Sequence, residues 1–206
     1  MARQRLAELG DDAAIRMAIL DAARALVRRH GAAKVNVSDV SRALGISHSS
    51  LYRHFTSKAD LIDALGSEAM VEDETLVNAL VARSNEAALP RLRDLAQTLH
   101  RRKCERFHND VEVHLLYERV ARERPDLVHA FARRITEALA DLIAQGVQGG
   151  ELLAGIDPLI VAGVFRDSLT TFVHPILVAA EGGLPATERL DAVLDQLIAG
   201  IRRRDE

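Results

Sequence analysis

The sequence predicts an all-α protein in two parts, a three-helix head over residues 1–60 and a helical body over 61–206. Three observations predict it. Pro is scarce while Ala, Leu, Arg and Glu are abundant, which suits helices. No alternating run of β-branched residues exceeds Val35-Asn36-Val37. Apolar residues recur at three- and four-residue spacing in segment after segment. A chain of 206 residues, 48% hydrophobic and 28% charged, can bury one sizeable core or two small ones, which excludes disordered and fibrous classes. The single cysteine excludes an internal disulfide. Met1 to Gly10 lacks the apolar core of a signal peptide, and the longest apolar run, Pro158 to Phe165, is far short of a membrane span. A cytoplasmic chain that meets no membrane is the expectation.

The elements follow in order. Ile15, Ile19, Ala22, Ala23, Leu26 and Val27 lie at helical spacing, and Gly31 supplies the left-handed cap that ends the first helix. Asn36, with Asp39 in the first turn, caps a short helix that turns Val37, Val40 and Leu44 inward and stops at Gly45. Ser47 caps the next, which buries Leu51 and Phe55. Ser57 caps a fourth that buries Leu61, Ile62 and Leu65, with a kink or break allowed at Gly66. Pro90 stands at the start of a helix to about Phe107, and Asn109-Asp110 caps another to Glu123. Pro125 opens one that Gly149-Gly150 ends. Asp157-Pro158 opens a helix carrying Leu159, Ile160, Val161, Val164, Phe165, Leu169, Phe172 and Val173, apolar nearly all round and so expected to be buried on every side. The last helix runs from about Pro185 to Arg203 with a Leu/Val/Ile stripe from Leu190 to Ile201. His174-Pro175 should bend the apolar helix. That bend is open to two readings, a packing kink or the wall of a ligand cavity beside Phe165, Arg166 and Phe172.

Charge divides the chain. Residues 1–60 carry a net +4 and the remainder a net −7. A basic head on an acidic body suits a polyanion held at one end. Within that head, Asn36 to Lys58 reads NVSDVSRALGISHSSLYRHFTSK. Two short helices meet at Gly45, with the small Ser41 four residues before it and Leu51 six after, which is helix-turn-helix spacing. The glycine permits the sharp turn, the small residue lets the helices cross closely, and Leu51 plugs the angle between them. His48, Ser49, Ser50, Tyr52, Arg53 and His54 are left facing outward. Short donors at the start of the second helix suit base edges in a major groove, while Tyr, Arg and His farther along suit phosphates. Lys58 stands in the first turn of the next helix, whose exposed N–H groups also favour an anion.

Gly31, Gly45-Ile46-Ser47, Leu51-Tyr52, Phe55 and Ser57-Lys58 resemble, at matching spacing, the N-terminal domain of TetR-family transcriptional regulators. The resemblance covers roughly Ile15 to Leu65; Asn36 stands where that family usually has Thr. It implies that Asn36, Ser47, Tyr52, His54 and Lys58 hold the DNA backbone while His48, Ser49 and Ser50 read bases. It further implies a homodimer on a pseudo-palindromic operator, repression released by a small-molecule effector, and no enzyme activity. The last two long helices are the expected dimer interface, with Leu169 and Phe172 as positions where a charge would break it. Cys104, His108, His114, Tyr117, Phe165, Arg166 and Phe172 are the candidate pocket residues.

Other chemistry is thinly represented. His100, Cys104, His108 and Glu112 share a face if a single helix runs through them, and an adjacent His/Cys pair can hold zinc or copper. His100 and His108 would be about 12 Å apart along the axis, too far for one ion. A metal- or redox-responsive regulator using Cys104 is therefore the alternative reading, and neither a metal nor a cofactor is expected. Gly146, Gly149 and Gly150 follow no strand and read as a helix end rather than a phosphate loop.

Overall fold

The computed structural model describes residues 12–203; the polar start read above, Met1 to Gly10, lies outside them. Among the described residues ten helices follow in order: α1 (Asp12–His30), α2 (Val37–Leu44), α3 (His48–His54), α4 (Lys58–Val81), α5 (Ala88–Asn109), α6 (Val111–Glu123), α7 (Pro125–Gln148), α8 (Pro158–Val173), α9 (Pro175–Ala180) and α10 (Thr187–Ile201). One isolated bridge, Leu152 with Arg202, is the sole extended pairing among them.

Two compact units result. The first holds α1, α2, α3, the beginning of α4 as far as Ala69, and also Asp110 with α6. Sequence reasoning divides the chain at residue 60, inside α4, and leaves α6 to the body. The reason for the wider unit is its core. Ile19, Ala23, Val27, Val40, Leu51 and Phe55 pack with Leu61, Ile62 and Leu65 of α4 and with Leu116 of α6. Ion pairs at the rim repeat the pattern: Arg24 meets Glu68 at 2.6 Å, and Arg28 holds Asp110. Glu68, by hydrogen bond and charge, raises the Arg24 pKa above its ordinary value, so that guanidinium stays charged.

The helix does not break at Gly66, because α4 is continuous from Lys58 to Val81. The glycine serves close approach instead: a Cβ there would lie 2.5 Å from Val120 Cγ2 and 2.8 Å from the Leu116 carbonyl oxygen.

The second unit holds the rest of α4 with α5, α7, α8, α9 and α10. Its core joins Val77 and Leu80 of α4 to Leu92, Leu95 and Ala96 of α5 and Leu139, Leu142 and Ile143 of α7, closed by Phe165 and Phe172 of α8 and Leu190 and Leu194 of α10. A buried ion pair, Asp73 with Lys103, ties α4 to α5. Two expectations are corrected here. First, within a single chain α8 is buried along one face only. Ala162, Phe165, Leu169 and Phe172 point into the core, but Leu159, Ile160 and Val164 are 56%, 66% and 50% exposed. Leu169 and Phe172, 8% and 2% exposed, are core residues of their own chain and not an interface. Second, His174-Pro175 breaks the helix instead of bending it. Residues before Pro avoid the α region and Pro has no N–H to donate, so His174 is extended (φ −80°, ψ 126°) and α9 starts afresh at Pro175. No helix among the described residues is long and apolar enough to cross a membrane.

Candidate nucleic-acid interface

The turn between α2 and α3 is built by backbone bonds. Gly45 N–H donates to the Arg42 carbonyl (3.2 Å) and Ile46 N–H to the Ser41 carbonyl (3.0 Å), the paired bonds of a glycine helix stop. Gly45 adopts φ 67°, open to glycine at no steric cost. Upstream, the Asp39 carboxylate accepts from the Asn36 backbone N–H at 3.3 Å and fixes the start of α2. Downstream, Ser47 Oγ accepts from Ser50 N–H at 3.1 Å and starts α3, while its oxygen also lies 2.8 Å from Ser49 Oγ. Ser41 and Leu51 are buried where the two helices cross, in the positions their size implied.

The α3 surface then follows from helical periodicity. Leu51 and Phe55 face the core, so His48, Ser49, Tyr52 and Arg53 are exposed and Ser50 is half-buried. Asn36 is exposed at the α2 start. Lys58 is half-buried, with Nζ donating to the Ala33 carbonyl at 3.2 Å, so its ammonium is held beside the segment that leads into Asn36. Ser57 Oγ accepts from Asp60 N–H at 3.0 Å, and Asp60 in turn accepts from Thr56 N–H at 2.8 Å. That reciprocal cap fixes where α4 starts and therefore where Lys58 stands.

His54 departs from the outward set. Its side chain is only 7% exposed, with Nε2 4.0 Å from Asp12 Oδ1 at the start of α1. His54 stands three residues after Leu51, at the boundary of the buried face, and its ring turns toward Asp12 at the start of α1. Sequence reasoning passed over two other cations. Lys34 and Arg42, with His30, line an open depression of about 480 Å³ next to Asn36, and Arg42 pairs with Asp39 at 3.2 Å. The signal was present as charge on the polar side of α2, which the motif does not include. Arg16 also belongs to this unit, with its guanidinium 4.4 Å from the Phe55 ring centre.

The candidate pocket residues are scattered. Cys104 and His108 line a cavity of about 650 Å³ in the second unit, together with His100, Pro185 and Leu190. Phe165 and Phe172 belong to the core, Phe172 with its ring edge-on to His100 at 5.8 Å. Arg166 donates to Thr136 Oγ1 at 2.8 Å and to Asp167 at 2.7 Å. His114 and Tyr117 are buried in the first unit, where His114 lies 3.2 Å from Glu118. The stripe that suggested a metal is cut by the break at Asp110, which puts Glu112 on α6 in the other unit. Among the described residues no group of three or more His, Cys, Asp or Glu is arranged to hold a metal ion. Burial raises the pKa of the Cys104 thiol, which keeps it protonated and weakens it as a redox sensor.

Known proteins share this fold. Residues 19–65 match the family described as bacterial regulatory proteins, tetR family, and residues 88–194 match the tetracyclin repressor-like C-terminal domain. No curated protein matches the chain. Among solved structures it is similar to SmeT, the repressor of the Stenotrophomonas maltophilia multidrug efflux pump SmeDEF (19% identity over 91% of this chain and 90% of that one, TM-score 0.65). It is likewise similar to a TetR/AcrR-family transcriptional regulator from Thermobifida fusca (25% identity, 91% and 98% covered, TM-score 0.63). FadR of Bacillus subtilis, solved with stearoyl-CoA, is a third (18% identity, 90% and 99% covered, TM-score 0.62). Identities this low carry the fold, while the two sequence matches carry the family. The chain belongs to the tetR family of bacterial regulatory proteins, helix-turn-helix DNA-binding transcriptional regulators and not enzymes.

Proposed function

We propose that the chain is a ligand-responsive repressor that binds a pseudo-palindromic operator as a homodimer and is released by a small-molecule effector. The observation that carries the DNA half is the α3 surface, where His48 and Ser49 stand exposed at the first turn beside Ser50, with Tyr52 and Arg53 one turn on. His48, Ser49 and Ser50 read base edges, and Asn36, Ser47, Tyr52, Arg53 and Lys58 hold phosphates.

The apolar, exposed side of α8 supports the dimer. Leu159, Ile160 and Val164 lie there, and a Cβ at Gly163 would meet open space, as would one at Gly200 of α10. Small residues there let a second helix pair approach closely. Full burial of such a side chain contributes about 1.5–3 kcal/mol, so three half-exposed ones give about 3 kcal/mol per protomer. The two protomers together give about 6 kcal/mol against an association cost of about 4–15 kcal/mol, so a stable pair also draws on the remainder of the α8–α10 face.

Effector response is supported by the relatives. One is named as a repressor, the same protein has been solved with triclosan (21% identity, TM-score 0.66), and another holds stearoyl-CoA. The relay is α4, a single helix whose Leu61 and Leu65 belong to one core and whose Val77 and Leu80 belong to the other. A ligand acts through its preference for a DNA-incompetent spacing of the heads; about 3 kcal/mol of preference lowers operator affinity on the order of 100-fold. Selection from a random DNA pool by the purified chain tests this reading. The expected outcome is an inverted repeat with half-sites about one helical turn apart. Recovery of no common sequence would overturn it.

A further inference from the structure

The face of α5 that first suggested a metal does something else. His100, Cys104 and His108 stand one turn apart and grip the backbone of the segment between α9 and α10. Ala186 N–H donates to His100 Nε2 at 3.0 Å, and His108 Nε2 donates to the Gly183 carbonyl at 3.1 Å. Between them Cys104 Sγ lies 4.0 Å from the Leu184 carbonyl oxygen. A backbone N–H can only donate, so His100 Nε2 is the bare nitrogen and Nδ1 carries the proton. That proton goes to the Phe172 carbonyl at 2.8 Å. One neutral imidazole thus joins α5 to the end of α8 and to the start of α10. The gripped segment cannot simply be rebuilt: Gly183 has φ 67°, and a side chain there would run into the Phe107 ring.

Against this grip lies the cavity of about 650 Å³. Its apolar lining includes Cys104, Pro185 and Leu190, and the neutral His100 adds no charge. At the rim Arg101 and Glu105 oppose each other 3.9 Å apart, so the opening has no net charge from that pair. His108 donates through Nε2 and lines the same cavity, which adds a polar edge to it.

We infer that this cavity between α5 and the 183–187 segment is the effector site, and that it takes an uncharged, apolar-bodied molecule with a hydrogen-bonding group. Its occupant competes with His108 and His100 for the segment, which releases the start of α10 and the end of α8. This rests on the reading of the chain as an effector-responsive regulator, and it adds the place, the ligand class and the part that moves.

Cys104 lines the cavity and is the only cysteine of the chain, so it is a built-in handle. Benzyl methanethiosulfonate places a neutral ring in the cavity: the thiolate attacks the sulfenyl sulfur, methanesulfinate leaves, and a mixed disulfide remains. Methyl methanethiosulfonate is the small counterpart, and Cys104→Ala treated with either reagent controls for other reactions. Two readings are taken on the full chain. The first is fluorescence titration with the neutral dye N-phenyl-1-naphthylamine, expected to saturate at one per chain and to be lost in the benzyl adduct. The second is affinity for the selected operator, expected to fall at least about tenfold in the benzyl adduct, with the methyl adduct near the unmodified chain. Dye binding unchanged by the benzyl adduct, a thiol that reacts only after unfolding, or equal weakening by both adducts would overturn the site. Should the unmodified chain select no operator, the regulator reading fails by itself, and the dye titration still decides the cavity.

Discussion

Lys58 and His54 show how single side chains divide between the fold and the proposed DNA face. Lys58 holds the Ala33 carbonyl at the protein surface, and its ammonium keeps further donors for a phosphate. Lys58→Ala is therefore expected to weaken binding to all sequences alike and to lower the salt slope of binding by about one unit, measured by titration at several salt concentrations. His54 is turned inward toward Asp12, so His54→Gln should leave that slope unchanged. At the first turn of α3 the expectation differs in kind. His48→Ala should alter which base is preferred at one operator position, by about 1–3 kcal/mol, seen as a changed selection profile and not as uniform weakening. The outward residues His48, Ser49, Tyr52 and Arg53 were legible in the sequence, because Leu51 and Phe55 fix the register of a two-turn helix. The inward turn of His54 was not, because a histidine at a boundary position can face either way and only its neighbour on α1 decides.

At the scale of elements, helix ends were easier to read than helix partners. Gly45, Ser47, Ser57 and Asp157 act locally, within a turn of themselves, and each stands where a helix stops or starts. Gly66 depends on α6, some fifty residues away, and could not be read locally. Alanine is the better helix former by about 1 kcal/mol, yet Gly66→Ala puts a Cβ against the Leu116 carbonyl oxygen at 2.8 Å. Backbone yields less than a side-chain end, so the substitution is expected to destabilise the first unit by about 1–3 kcal/mol, read from a denaturant midpoint. In the second unit the Asp73–Lys103 pair joins α4 to α5 out of water. Lys103→Met leaves the buried Asp73 carboxylate to Arg102, 3.7 Å away, and should lower stability by up to about 3 kcal/mol, whereas Asp73→Leu with Lys103→Met should recover most of the loss. The sequence shows the charges, but not that one opposite pair among several is sealed inside.

For the whole molecule, the apolar pattern of α8 announced more buried surface than one chain supplies, and the assignment of particular residues needed the coordinates. Periodicity alone could not separate Phe172, inside its own core, from Ile160, on the outside, since both belong to an almost unbroken apolar run. Glu at the two positions should now act differently. Phe172→Glu is expected to unfold the second unit, while Ile160→Glu or Val164→Glu should leave helicity intact and separate two copies. In the proposed function, coupling between effector and operator depends on that pairing, because only a dimer has a spacing between heads for a ligand to change. Sedimentation velocity of the full chain at micromolar concentration, alone and with its selected operator duplex, is the most direct test. A dimer in solution and two chains per duplex are expected, with Val164→Glu reduced to a monomer of wild-type helicity and weakened operator binding. A clean monomer that binds its operator as one chain per duplex would contradict it.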